Sequence, residues 1–459
     1  MSIDVTKHTI PWIVFLIYLM GFMVYAFIPA ERNADTMQVF LGVYCVHALC
    51  GLLLLRDGSF FLTLPHLISL FLLSRIAVFF MYPWLSDDVF GYLFYGKAEL
   101  LGFNMYGMKA DDPALMHLRD SAFDLMAFKP YQNIYPPLAT FFMMCSAWIA
   151  SFFPPSLYAS LASWKLLLFL AESLGLYLLY VYQTHNEKSL MPILMYLAIP
   201  MTAIEGIGQA HNEILLLPFL MCIIIVRQTS TLTSYSLTGI ACAMLGLLKL
   251  YPFALLVPIT ALTKDWKQLS IIIVAFLLTI STFSAPWFGG IWIGNMNSIY
   301  GYASVLQFYH GTYFNGVLLY GIRYALEFLN INEWWLLAPK IVTVIRGIGI
   351  MLMGIYARIR NSTFIHALYG TMFLTVIISS KVHTWYFIPV TFLGVIAGRS
   401  SIMVIASLMM ATYVMYAVSP IYESAFLETS IWVIAGGFII LESYRSSQIF
   451  NTNKNNILP

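Results

Sequence analysis

"WLSDDVFGYLFYGKAELLGFNMYGM", residues 84–108, follows an apolar run that ends near Tyr82-Pro83, and it sets two adjacent carboxylates, Asp87 and Asp88, where the chain leaves that run. The preceding run, 61–83, is long enough to cross a bilayer core, which takes about 20 apolar residues per helix. The pattern then changes. Val89 to Leu101 carries Phe90, Leu93, Phe94, Leu100 and Leu101 at mostly helical spacing, with Lys97 and Glu99 between them. That spacing predicts an amphipathic helix at the membrane interface. Gly102 to Gly107 ends it in a turn, and Asp111-Asp112-Pro113 opens a second helix with an Asp near the N-cap and Pro in the first turn. The stretch reads as a folded loop joining two membrane spans, in an all-α polytopic membrane protein.

Composition agrees with that class. Apolar residues make up 60% of the 459, charged residues 10%, and the mean hydropathy is +0.81, far from soluble averages. A net charge of +2 provides no broad basic surface for nucleic acid, so the expected partners are membrane lipids and small polar molecules. The five cysteines lie inside apolar stretches without metal or redox spacing and read as packing residues. No metal-ligand pattern is visible. The acids of the first loop leave a divalent cation open, but no cofactor is required.

The bilayer ruler divides the chain into roughly 11 to 14 spans. They fall near 11–28, 37–55, 61–83, 136–154, 157–182, 190–204, 210–227, 235–262, 268–288, 336–358, 363–380, 384–398, 401–418 and 429–446. Short basic connections, such as Lys264 to Lys267 and Arg358 to Arg360, are expected on the cytoplasmic side. The two longest polar stretches then face outward. The first, 84–135, holds seven acidic residues against four basic ones; the second, 289–312, has no Lys or Arg. Five regions follow: N-terminal spans (1–83), the first outer loop (84–135), a transmembrane module (136–288), an aromatic and Gly-rich outer loop with an interfacial helix (289–335), and C-terminal spans (336–459).

The polar motifs come in a fixed order: "SDDVFGYLFYGKAELLGFNMYG" (86–107), "NIYPPLATFF" (133–142), "GIGQAHNEILLL" (206–217), "GLLKLYPFALLVP" (246–258), "YFNGVLLYGIRY" (313–324) and "KVHTWYFIPV" (381–390). This succession resembles the bacterial polyprenol-phosphate-mannose-dependent mannosyltransferases of the GT-C glycosyltransferase superfamily. The departures are Met105, Tyr95-Gly96 and Thr384, where that family often has Pro, Asp-Gly and Pro. Two apolar spans also precede the usual first one.

The resemblance implies an inverting transferase in the plasma (inner) membrane with its site facing outward. It would move a hexose, mannose by resemblance, from a polyprenyl-phosphate donor to a glycolipid or glycan acceptor. A carboxylate must then take the acceptor hydroxyl's proton. Asp87 matches the family's catalytic aspartate, and Asp88 would orient the acceptor, stay protonated beside it or pair with a cation. Both acids equally suit capping of the helix that follows. Tyr135, Pro136 and Pro137 start the next span, and Asn315 closes the second loop. Candidates for the sugar and phosphate are His211, Asn212, Glu213, Lys249, Arg323, Lys381, His383, Trp385 and Tyr386.

Simple alternation of spans puts His211-Asn212-Glu213 on the side away from Asp87, unless the short run 190–204 is a broken helix that bends back. Lys249, inside the run 235–262, is an intramembrane cation of the kind that marks function, or one that snorkels to an interface. Glu172, Glu205 and Arg75 read as structural pairs. Two other classes remain: a lipid-linked sugar transporter or flippase, and a noncatalytic envelope-assembly protein.

Overall fold

The computed structural model describes residues 5–56, 61–288, 297–303, 314–417 and 424–455. Most of the Gly-rich and aromatic stretch 289–313 lies outside them. Within the described residues the chain is helical, with one isolated parallel bridge between Phe314 and Lys381. Among the described residues six helices are long and apolar enough to cross a membrane: Ile10–Phe27, Ala34–Arg56, Leu157–His185, Trp266–Phe288, Trp334–Ile359 and Phe426–Tyr444. A bent pair, Met191–Leu197 with Pro200–Gly208, makes a seventh if it is one span. Eight further apolar helices are only 10–17 residues long, so much of the expected span count survives as shortened or interrupted helices.

The interruptions have local causes. Pro200 has no N–H to continue the preceding helix, and the chain turns by 69° there before running into a π-turn over Ile204–Gly208. The run expected over 235–262 stops at Leu248. Lys249 is extended (φ −147°, ψ 144°), and Pro252 lies in the short 3-10 turn Tyr251–Leu255 that leads into Leu256–Ala261. Lys249 therefore sits in a break, not within a continuous helix. His211 and His383 likewise stand just ahead of 3-10 turns, at Asn212–Leu215 and Thr384–Tyr386.

The helix expected over 89–101 forms as Asp88–Leu100, but ten of its 13 residues are buried. A half-exposed interfacial helix does not describe it. Gly96 explains part of this burial, because a Cβ there would lie 2.3 Å from the Met143 carbonyl, so only glycine lets the helix close on Pro137–Ala150. Glu99 is satisfied from within: its carboxylate accepts from Met105 N and from Trp287 Nε1, both at 2.8 Å. Burial pushes the Glu99 carboxyl up to about 7, partly offset by those two donors. The second expected helix is a 3-10 turn, Pro113–Leu118, whose N-cap Asp112 accepts from Ala114 N at 2.9 Å.

Two buried cations tie the bundle together. Arg75 donates from Nη2 to Glu172 Oε1 at 2.7 Å and from Nε to Oε2 at 3.1 Å, both side chains being fully buried. Thr202 Oγ1 accepts from Arg75 at 3.0 Å, and Tyr196 donates to Glu172 at 3.0 Å. The pair is structural, as its sequence setting suggested. Lys165 donates to the carbonyls of Phe79 (3.0 Å) and Met81 (2.5 Å), satisfying the end of the helix Leu64–Phe79 directly before the Asp87 turn. Removing one partner of a buried pair strands the other charge. Glu172→Gln should therefore lower stability by about 3–5 kcal/mol, and Arg75→Met with Glu172→Leu should recover most of that loss. Thermal unfolding in detergent reads both.

Candidate functional site

The site gathers at the helix breaks. Asp87 precedes the helix Asp88–Leu100 with φ −93° and ψ 0°, yet its side chain makes no capping bond. Instead Arg32, from the connection between the first two helices, forks onto it. Nη1 donates to Asp87 Oδ2 at 3.0 Å, Nη2 pairs with Oδ1, and Nε donates to the Trp84 carbonyl at 2.7 Å. Gln209 holds the same turn from the other side, its Oε1 accepting from Trp84 N at 3.0 Å and Leu85 N at 2.8 Å.

Asp88 faces a different set. Its electrostatic neighbours are Lys249, Glu213, Asp87 and Lys381. Burial pushes the Asp88 carboxyl up to about 6; Glu213 and Asp87 add to the rise, and Lys249 and Lys381 oppose it. Burial likewise draws Lys381 down to about 7, with Asp88 opposing. The segment 211–213 is thus brought to the Asp87–Asp88 turn by the bent helix pair, which simple alternation of spans did not give.

Lys249 Nζ stands 3.0 Å from Glu213 Oε1, and over the rings of Tyr135 at 5.0 Å and Tyr386 at 5.9 Å. The Lys–Glu contact is out of line for a hydrogen bond, so neither Glu213 oxygen has a hydrogen-bond donor. Asn212, 1% exposed, has neither its amide nitrogen nor its oxygen paired. His211 lies 3.4 Å from Glu205 Oε2 through Nε2, again without hydrogen-bond alignment, while Tyr413 donates to the same Glu205 oxygen at 3.0 Å. Ala210, just before this trio, adopts φ +64°, and its carbonyl accepts from Trp164 Nε1 at 2.8 Å. A left-handed non-glycine residue costs on the order of 1 kcal/mol or more, and here it re-aims the chain so that three polar side chains follow in sequence.

Aromatic rings line the cleft in successive contact. Phe314 stacks on His383 at 4.8 Å, His383 on Trp385 at 4.3 Å, and Trp385 on His211 at 3.9 Å. Burial holds the His383 imidazole well below its usual range, with Lys381 and Lys249 adding to the effect, so at neutral pH it is an uncharged ring. Its Nδ1 meets Tyr416 Oη at 3.4 Å. Asn315, buried at φ +52°, donates to the Val382 carbonyl at 3.3 Å and accepts from Trp432 Nε1 at 3.2 Å, pinning Phe314 against Lys381.

Tyr135 N is held by Asn133 Oδ1 at 3.0 Å and its carbonyl by Tyr106 Oη at 2.6 Å, just before Pro137 begins the helix Pro137–Ala150. Beside the two prolines an apolar cavity of about 350 Å³ opens between that helix, Leu232–Leu248 and Trp266–Phe288; Pro136, Pro137, Leu250, Phe253, Ser284 and Phe288 line part of it.

Arg323 lies elsewhere. It pairs with Glu327 at 2.9 Å and covers the Trp334 ring at 4.2 Å, in a packing cluster formed with the helix Trp334–Ile359. Four residues of the cleft escaped the sequence reading: Arg32, Gln209, Tyr413 and Tyr416. A signal existed for Arg32: it lies in the short connection after the first span, which alternation places on the same side as 84–135, against the positive-inside bias. Gln209 sits within "GIGQAHNE" but its role needs the fold. Among the described residues no three His, Cys, Asp or Glu side chains converge as a metal-ligand set.

Asp88 yields a linkage prediction. Its carboxyl is about 3.8 when free and about 6 in the fold, so the folded state holds the proton more tightly, and stability falls as pH rises through that window. Asp88→Asn should therefore be more stable than the parent at pH 8 by about 1–2 kcal/mol, discounting the shift for partial exposure, and the gap should close near pH 4. Unfolding midpoints at the two pH values check the sign.

No family model, curated protein or solved structure matches this chain. The geometry and chemistry of the cleft therefore carry the functional reading.

Proposed function

We propose that the chain is an inverting GT-C type glycosyltransferase. It moves a hexose, mannose by resemblance, from a polyprenyl-phosphate donor to a glycolipid or glycan acceptor at the outer face of the plasma membrane. The observation that carries the reading is the buried trio His211-Asn212-Glu213, whose polar atoms lack hydrogen-bond partners beside Lys249 and Asp88. Unpaired buried polar groups are costly, and a polyhydroxylated ligand would satisfy them. Lys249, and Lys381 in its protonated form, provide positive charge for a phosphate, and the Tyr135 and Tyr386 rings offer faces for a sugar. The apolar cavity at Pro136 and Pro137 suits an isoprenoid tail leading away from that charge.

In the reaction the acceptor hydroxyl attacks the anomeric carbon from the face opposite the phosphate. A carboxylate of the Asp87–Asp88 turn takes the hydroxyl proton as the new C–O bond forms. The bond from the anomeric carbon to the phosphate oxygen breaks, and its electron pair leaves with the lipid phosphate.

Helices broken around a charged cleft also suit a lipid-linked sugar transporter. The two readings part on chemistry. Purified protein in detergent should form a new glycosidic bond from polyprenyl-phosphate hexose with no gradient present. Vectorial movement of intact lipid-linked sugar in vesicles, with no glycosidic product across a panel of acceptors, would favour transport.

The tail assignment has its own test. Ser284→Phe narrows the cavity, so it should raise KM for long-chain donors by roughly tenfold while leaving short-chain analogues nearly unaffected, since only the tail loses its contacts. Equal losses for both chain lengths would remove the cavity from donor binding. Orientation is tested separately by cysteines at the exposed positions Ala114 and Asn297. An impermeant maleimide should label both in intact cells.

A further inference from the structure

We infer that Arg32, carried by the N-terminal helical hairpin, is a positioning residue that withdraws Asp87 from proton transfer and leaves Asp88 as the acceptor of the proton. The inference rests on the transferase reading above and assigns the roles within its site.

The geometry separates two neighbouring acids that look equivalent in sequence. Both Asp87 oxygens are taken by the guanidinium fork, and the third donor direction of Arg32 is spent on the Trp84 carbonyl three residues earlier. A bidentate Arg–carboxylate pair fixes orientation as well as charge. Asp87 is thereby turned toward the hairpin, and the turn Trp84–Asp87 is clamped between Arg32 and Gln209. The hairpin side of the clamp is itself ordered: Asn33 Oδ1 accepts from Thr36 N at 2.9 Å at the start of Ala34–Arg56.

Asp88 begins the next helix, and successive helical side chains do not share a face. It carries no comparable clamp. The charged and titratable groups set around it come from four other segments: Lys249 from the break after Leu248, Glu213 from the turn at 212–215, Lys381 from the segment before Thr384, and Tyr413 and Tyr416 from Met410–Ala417. Of these, Glu213 lies 3.0 Å from Lys249 and directly follows Asn212, whose amide is unpaired. A carboxylate facing that cleft meets the acceptor hydroxyl; one held by Arg32 does not. Asp87 still raises the Asp88 carboxyl, and the Arg32 guanidinium beside it offsets part of that negative charge.

The test uses full-length protein in detergent, with polyprenyl-phosphate hexose as donor and transfer followed against pH. Asp88→Asn should cut kcat by roughly 10² to 10⁴, and Asp87→Asn by roughly three- to tenfold. Arg32→Gln frees the Asp87 charge, so the acidic limb of the kcat profile should move to higher pH by about half a unit or more. Asp87→Asn alone should move it the other way, and Arg32→Gln with Asp87→Asn should restore it. A merely structural Arg32 would alter amounts of folded enzyme without moving the limb. If Arg32→Gln fails to fold, the Asp87→Asn and double variants still carry the comparison. A collapse at Asp87→Asn with a mild Asp88→Asn, or a limb unmoved by these changes, overturns the assignment. An inactive parent protein would instead count against the transferase reading itself.

Discussion

Charge inside an apolar bundle has to be balanced locally, and that constraint organises this chain. Arg75 and Glu172 meet it fully, with Thr202 and Tyr196 completing their hydrogen bonds, and the result is inert. Lys165 meets it by satisfying helix-end carbonyls. The group around Asp88 meets it only in part: Lys249 approaches Glu213 without a hydrogen bond, and Asn212 has no partner at either end. Fully satisfied networks hold a fold together, while partly satisfied ones retain hydrogen-bonding capacity for something else. The contrast between these networks marks the cleft.

Broken helices make that partial satisfaction possible. Each polar segment of the cleft sits where a regular helix stops: 211–213 after the bent pair, Lys249 after Leu248, and 381–383 before the turn at Thr384. Irregular backbone within an apolar bundle is tolerated where it is buried in protein or lines a polar cavity. Here it also turns side chains from four separate segments toward one place. Stacked rings, from Phe314 through His383 and Trp385 to His211, form one wall of that place. Its positive charge comes from Lys249 and Lys381, compact ammonium groups without the planar fork of a guanidinium.

Much of this was legible in the sequence. The apolar runs gave the membrane class, and Pro136-Pro137 marked a helix start that is found at Pro137. Helical spacing marked 89–101, though not its burial, which follows from Gly96 packing against Met143 and from the internal partners of Glu99. The ordered polar motifs pointed to residues that do converge, except that Arg323 belongs to the Trp334 cluster. Hydropathy could not show that 190–204 bends by 69° or that 235–262 breaks at Lys249, because short apolar helices on either side of a break read as one run. Nor could it pair Arg32 with Asp87, a contact between residues 55 positions apart whose meaning depends on which way each side chain points.

Sugar transfer is tested most directly by the lipids of cells that lack this chain. Loss of a transferase leaves its donor unconsumed, so polyprenyl-phosphate hexose should accumulate together with an acceptor one hexose short, and the mass difference would identify the sugar. Reintroducing the parent chain should clear both, whereas Asp88→Asn should clear neither. Unchanged levels of donor and acceptor, or intact lipid-linked sugar trapped on the cytoplasmic leaflet with no truncated acceptor, would contradict a transferase.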